Sequence, residues 1–249
     1  MTATLRSYAF TAFLVLTIVV MGVLCLPALL FGKETARRVV QFWARLTLQA
    51  LKTIAGVDYR VEGRENLPSG GALVAVNHQS MWETIALYAL LPRPVVILKK
   101  ELLRLPIYGL WARATGNIAV DREGGARALK AMRAAARAAI ADGEQVVVFP
   151  EGTRVAPGQT VRFQPGVAGV YAAAEAPCVP GAHDSGRFWR HPGVQKVAGC
   201  ITLRMLPPLA PGLDRKAFMA ALKTKIENAR PDLADPVAEH GAPQLELSS

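Results

Sequence analysis

Cysteine is scarce in this chain of 249 residues: Cys25, Cys178 and Cys200 are the only three, far apart, and none stands in a Cys-x-x-Cys or His-ligand spacing. That count excludes a disulfide framework and a zinc site of familiar spacing, and it fits a reducing cytoplasm. Acid is short as well. Lys+Arg number 29 against 19 Asp+Glu, a formal charge of +10. The excess points to anionic partners: nucleic acid, an acidic membrane surface or phosphorylated ligands. Aromatic residues make up only 7%, and the cations lack the interleaved aromatic platforms that single-stranded nucleic acid requires, so no nucleic-acid partner is expected. There is no internal repeat and no hinge-like linker after Gly56. What remains, 249 residues at 51% hydrophobic, suffices for one α/β domain with a sizeable core and an appended segment.

Charge is wholly absent from Tyr8 to Phe31. Those 24 residues would form about 36 Å of helix, enough to cross a bilayer. A cleaved signal peptide is the main rival, but its apolar region is about 7–15 residues and ends in a small-x-small site. Pro27 near the far end leaves a re-entrant or interfacial hairpin open. Only Arg6 precedes the segment, whereas Lys33, Arg37, Arg38, Arg45 and Lys52 follow it, which puts the body on the cytoplasmic side. Between Ala36 and Ile54 apolar residues recur at near-helical spacing beside these cations. Two readings stand, an amphipathic helix lying on anionic membrane lipid and a helix packed on the core, and both could hold on different faces.

The chemistry concentrates where apolar runs stop. Leu73 to Val76 leads into Asn77-His78, and Glu83 stands five residues past the histidine. On one continuous helix that spacing would separate the two by roughly 140° around the axis. A strand to Val76, with Ser80 as helix cap, instead puts His78 in the turn and Glu83 in the first helical turn, from where its carboxylate can reach back. A carboxylate on one imidazole nitrogen fixes the tautomer and makes the other a better base, able to deprotonate a hydroxyl without a metal or a nucleophilic serine. The competing reading is a capping box, Ser80 to Glu83, beside an ordinary loop histidine.

A second apolar run, Val146 to Val148, ends in Phe149-Pro150-Glu151-Gly152-Thr153-Arg154. Gly152 permits a tight turn at positive φ, which would project an acid, a hydroxyl and a guanidinium together. Arg154 suits bidentate recognition of phosphate; a Glu151–Arg154 pair serving only the turn is the alternative. These blocks, with Lys99-Lys100-Glu101-Leu102, Pro106, Gly109, Gly116-Asn117-Ile118, Asp121-Arg122 and Val179-Pro180, resemble the ordered motifs of the glycerolipid acyltransferases, most nearly the bacterial 1-acyl-sn-glycerol-3-phosphate branch. The resemblance runs over about half the chain. It departs at two places, Glu83 where the family has aspartate, and a last block reading Val179-Pro180-Gly181-Ala182-His183-Asp184-Ser185-Gly186.

The resemblance implies transfer of a fatty acyl chain from a thioester, acyl-CoA or acyl carrier protein, to the sn-2 hydroxyl of lysophosphatidic acid, giving phosphatidic acid, with no further cofactor. It implies His78 and Glu83 as the catalytic pair, and Asn77, Lys99, Lys100, Arg122, Glu151, Gly152, Thr153 and Arg154 around the acceptor. It also implies the inner membrane of a bacterium as the location. Other acceptors (a lyso-ornithine lipid, another lysophospholipid) and a non-catalytic anionic-lipid binder are the alternatives.

Strands alternate with helices from Val57 onward, which predicts an α/β layer structure with a largely parallel sheet and ligands at the carboxyl ends of its strands. The expected organisation is a membrane-anchoring helical segment over 1–56, an acyltransferase-like domain over 57–231 and a disordered tail over 232–249. His183, near strand ends, could line the site, but as a lone histidine it is expected to be structural.

Overall fold

The computed structural model describes residues 2–121 and 124–234. Seven strands form one sheet: β1 (Val57–Glu62), β2 (Ala72–Val76), β3 (Pro94–Lys99), β4 (Ile118–Val120), β5 (Gln145–Val148), β6 (Cys178–His183) and β7 (Gly199–Met205). Their spatial order is β1-β7-β6-β2-β5-β3-β4. All neighbours run parallel except β6 and β7, so the sheet is mostly parallel as expected, with β1 and β7 reversed at one edge. β2 at the centre is buried along its whole length, which is why it reads as a continuous apolar run rather than an alternation. β1 near the edge alternates.

Eight α-helices are described: α1 (Ala3–Leu24), α2 (Lys33–Ala50), α3 (Trp82–Leu90), α4 (Pro106–Ala114), α5 (Gly125–Ala141), α6 (Gly166–Ala174), α7 (Arg215–Ala229) and the single turn α8 (Pro231–Ala234). They cover the sheet on both faces with one apolar cluster each. One is built around Trp82, Leu87, Ile201 and Leu203, the other around Met132, Val146, Tyr171 and Phe218.

The uncharged segment is not one helix. α1 stops at Leu24, and Leu26–Phe31 continues as a 3₁₀ stretch with Pro27 in its first turn, because proline cannot donate into the preceding turn. α1 is long and apolar enough to cross a membrane by length and composition, yet one face packs on the domain. Phe10 and Leu14 are buried, Arg6 Nε donates to Ile54 O at 2.6 Å, and Trp111 Nε1 donates to Gly22 O at 3.0 Å. Its other face, with Tyr8, Val15, Leu16, Val20 and Leu24, is exposed, as are Leu30 and Phe31 beyond it.

α2 then turns back onto α3. Arg37, one of the cations expected beside lipid, is 1% exposed and ion-paired with buried Glu144, which also takes Lys33 at 2.7 Å. Buried guanidinium without a partner costs several kcal/mol, so the pairing decides where this side chain goes. Arg38 and Arg45 are exposed. One face of this helix therefore packs on the core, and Arg38 and Arg45 stand on the other. Gly56 ends the following π-helical turn at φ 73°, as its position predicts.

Candidate active site

β5, β2 and β6 lie side by side and parallel, with Ala75 opposite both Val148 and Pro180. Their carboxyl ends therefore deliver three loops to one place: Asn77-His78, Phe149 to Arg154, and His183 to Ser185. The crossing is tight. A Cβ on Gly186 would stand 2.9 Å from Pro157 and 3.1 Å from Gln79 Cβ.

His78 Nδ1 lies 2.7 Å from Glu83 Oε1. Since the carboxylate can only accept, Nδ1 carries the proton, and Nε2 is the nitrogen with a free lone pair. The ring is 16% exposed and stacks on Phe149 at 4.2 Å. Its backbone is fixed at both ends: His78 N donates to the Glu151 carboxylate, and Val155 N donates to His78 O at 2.8 Å. The second motif is thus the bed on which the first is laid.

Glu83 is wholly buried. Oε1 also accepts from Gln79 N and Ser80 N, both at 2.8 Å, and Oε2 accepts from Ser80 Oγ at 2.9 Å and Ser185 Oγ at 2.8 Å. Burial alone would raise its pKa. Electrostatic interaction with His183 and His78, the His78 hydrogen bond and the Ser80 amide overcome that and hold it below the ordinary carboxylate value. Burial holds His183 below its usual pKa, against the opposing charge of Glu83. His183 is neutral, with Nε2–H on Asn77 O at 2.7 Å and Nδ1 accepting from Ser185 N at 3.2 Å.

The capping box and the acid–base pair are therefore the same carboxylate. Ser80 is not the cap residue, however. α3 starts at Trp82, with Met81 preceding it, and the Ser80 hydroxyl accepts from Trp82 N at 2.9 Å while donating to Glu83.

Glu151 is 3% exposed, and burial, with Glu83 and Asp232 acting the same way, pushes its carboxyl up to about 7 against the pull of His78 N and Arg230. Gly152 adopts φ 72°, as the turn requires. Thr153 is exposed. Arg154 is half-buried, one residue from the Val155 amide that holds His78; its Nη1 lies 3.2 Å from His191 Nδ1, and its Nε is buried without a partner.

Asn77 has to be corrected. Its amide is buried and spent on His183, accepting from N at 2.8 Å and donating to O at 3.0 Å, so it locks two strand ends together and offers nothing to a ligand. Lys99 is exposed at the end of β3, and Lys100 pairs with Asp121 at 2.9 Å. Arg122 lies outside the described residues. Among the described residues no group of three or more His, Cys, Asp or Glu could hold a metal ion.

Three further residues close the site from far along the chain. Asp232 Oδ2 accepts from Gln79 Nε2 at 2.9 Å and from Gly158 N at 2.8 Å. Arg230 pairs with Asp232 at 2.6 Å and lies 3.9 Å from Glu151. Ser185 is the third. The expected disordered tail is thus corrected at its start: Asp232 is 1% exposed, because its carboxylate neutralises a buried arginine; residues 235–249 lie outside the described residues. Pro231-Asp232 gave no periodic signal, so neither Arg230 nor Asp232 could be found from pattern alone.

Residues 58–184 match the family model described as Acyltransferase. The chain belongs to that family. Within the family, it is 34% identical over 192 residues to the 1-acyl-sn-glycerol-3-phosphate acyltransferase of Pseudomonas aeruginosa, an alignment covering 77% of this chain and 74% of that one. It is 32% identical over 168 residues to human 1-acyl-sn-glycerol-3-phosphate acyltransferase alpha, covering 66% of this chain and 59% of the relative. The crystal structure of the 1-acyl-sn-glycerophosphate (LPA) acyltransferase PlsC from Thermotoga maritima superposes with a TM-score of 0.73, over 92% of this chain and 97% of that chain, at 21% identity. That likeness spans more of the chain than the 58–184 match and shows the shared fold.

Proposed function

We infer that this acyltransferase-family chain transfers a fatty acyl group from a thioester to the sn-2 hydroxyl of lysophosphatidic acid, giving phosphatidic acid. The observation that carries the reading is the His78 imidazole held through Nδ1 by Glu83, leaving Nε2 as a base close to the Arg154 loop. The two 1-acyl-sn-glycerol-3-phosphate acyltransferases it resembles support the acceptor.

His78 Nε2 takes the proton as the hydroxyl oxygen attacks the thioester carbonyl. The ester C–O bond forms, the C–S bond breaks, and the imidazolium returns its proton to the departing thiolate. Glu83 stabilises the imidazolium and fixes its tautomer. No acyl-enzyme is required. Arg154, with Arg122 and a lysine of the Lys99-Lys100 pair, receives the phosphate. Glu151 holds the His78 backbone rather than the substrate. The donor is acyl-CoA or acyl carrier protein, and no other cofactor enters. The exposed apolar face of α1 seats the chain on a bacterial inner membrane of anionic lipid, with the basic flank and the catalytic domain on the cytoplasmic side.

The test is purified full chain with labelled lysophosphatidic acid and each thioester in turn. Lyso-ornithine lipid and lysophosphatidylcholine serve as competing acceptors. Phosphatidic acid is the expected product, and His78→Ala is expected to lower kcat by roughly 10²–10⁴-fold with the circular dichroism spectrum unchanged. Full turnover in His78→Ala, or a preferred acceptor without a phosphate monoester, would overturn the reading.

A further inference from the structure

One side chain beside the site has no role in the chemistry above. His191 sits in the turn of a short antiparallel hairpin between β6 and β7, in which Trp189 bridges Lys196. Arg190 N donates to Gln195 O at 3.1 Å, and Val197 N donates to Phe188 O at 2.8 Å. The hairpin brings His191 Nδ1 to 3.2 Å from Arg154 Nη1.

That contact decides the tautomer. A guanidinium has only donors, so Nδ1 must accept and the proton must sit on Nε2. Partial burial, then the charge of Arg154 and the nearness of His78, hold the ring's pKa below its ordinary value, in keeping with a neutral imidazole. The result is an N–H on an exposed ring, adjacent to a guanidinium whose Nε is buried without a partner and which no carboxylate pairs among the described residues. The pair has donors to spare and, among the described residues, no carboxylate to take them.

The hairpin is also held firmly. Trp189 and Lys196 are 5% and 3% exposed. The Phe10 ring of α1 meets Trp189 edge-on at 5.3 Å, and Lys196 Nζ lies 4.5 Å from the Trp189 ring and donates to Thr11 Oγ1 at 3.2 Å. Lys196 N donates to Ser7 Oγ at 2.9 Å. An exposed histidine on a loose loop would need no such base.

We propose that His191 is an acceptor-binding residue, its Nε2–H joining the Arg154 guanidinium in receiving the phosphate monoester of the lysolipid. The inference rests on the acceptor assigned above. Because the hairpin is seated on α1, the helix with the apolar face also sets where the acceptor's phosphate is held.

The test uses the full chain in detergent micelles, with lysophosphatidic acid or 1-monoacylglycerol, which lacks the phosphate, at fixed thioester. His191→Ala should raise the apparent KM for lysophosphatidic acid about tenfold, the loss expected for one hydrogen bond to a charged group. It should leave kcat, the thioester KM and any turnover of 1-monoacylglycerol unchanged. His191→Gln, which keeps an N–H near the place of Nε2, should recover most of that loss. An unchanged KM for lysophosphatidic acid overturns the proposal. So does an equal loss on 1-monoacylglycerol or on the thioester, the pattern of a disturbed hairpin. An unaltered chain inert towards lysophosphatidic acid would overturn the acceptor assignment first, and this inference with it.

Discussion

Glu83 gathers five donors on one buried carboxylate: His78 Nδ1, Gln79 N and Ser80 N on Oε1, and the hydroxyls of Ser80 and Ser185 on Oε2. Its two departures from the family pattern therefore meet in space. Ser185, from the divergent last block, donates to the glutamate that replaces the aspartate. Glu151 shows the opposite electrostatics. Its folded pKa of about 7 lies above the ordinary 4.5, so the folded state binds the proton more tightly than the unfolded chain. The stabilisation is complete below pH 4.5 and is lost as pH rises through 7, about 3 kcal/mol in all. Glu151→Gln keeps an oxygen for His78 N and removes the titration. Urea unfolding at several pH values across that window should show stability falling in the wild type and nearly level in the variant. Parallel slopes would place the burial cost elsewhere.

Among the elements, β2 and its neighbours were legible because buried parallel strands are near-continuous apolar runs, and turns carry glycine and proline. Sequence spacing also located the His78–Glu83 contact, since only a turn between them lets residues five apart face each other. It put the helix start one residue early, because the Ser80 hydroxyl serves both Trp82 N and Glu83. α1 was legible as an apolar helix, but not its seat, because hydropathy records how apolar a segment is and not which face packs. Phe10 is fully buried against Trp189 and Lys196. Phe10→Ala should cost about 3–5 kcal/mol, read as a lower Tm in detergent. It should also weaken lysophosphatidic acid binding through the hairpin. A Tm within a degree of wild type would mean that the seat contributes little.

At the scale of the whole molecule, α1 is part of the domain rather than a detachable tether. Ser7, Phe10 and Leu14 are buried, and both Arg6 and Gly22 are bonded to other elements. A chain lacking residues 1–32 would bare Trp111, Trp189 and Lys196 together, and exposed apolar surface of that kind drives aggregation. Size-exclusion chromatography without detergent should find it in the void volume. A monodisperse, active truncated enzyme would contradict the assignment.

The amino-acid sequence by itself determined the sheet, the two motif loops and the apolar first helix. Each of these is written in a local pattern: a period, a turn residue, a run without charge. Tertiary structure alone decided that Arg230 and Asp232 brace the loops, that Asn77 faces inward, that Arg37 is buried and that His191 stands beside Arg154. Those are contacts between segments distant in the chain, set by which strands lie side by side and by the cost of burying a charge without a partner.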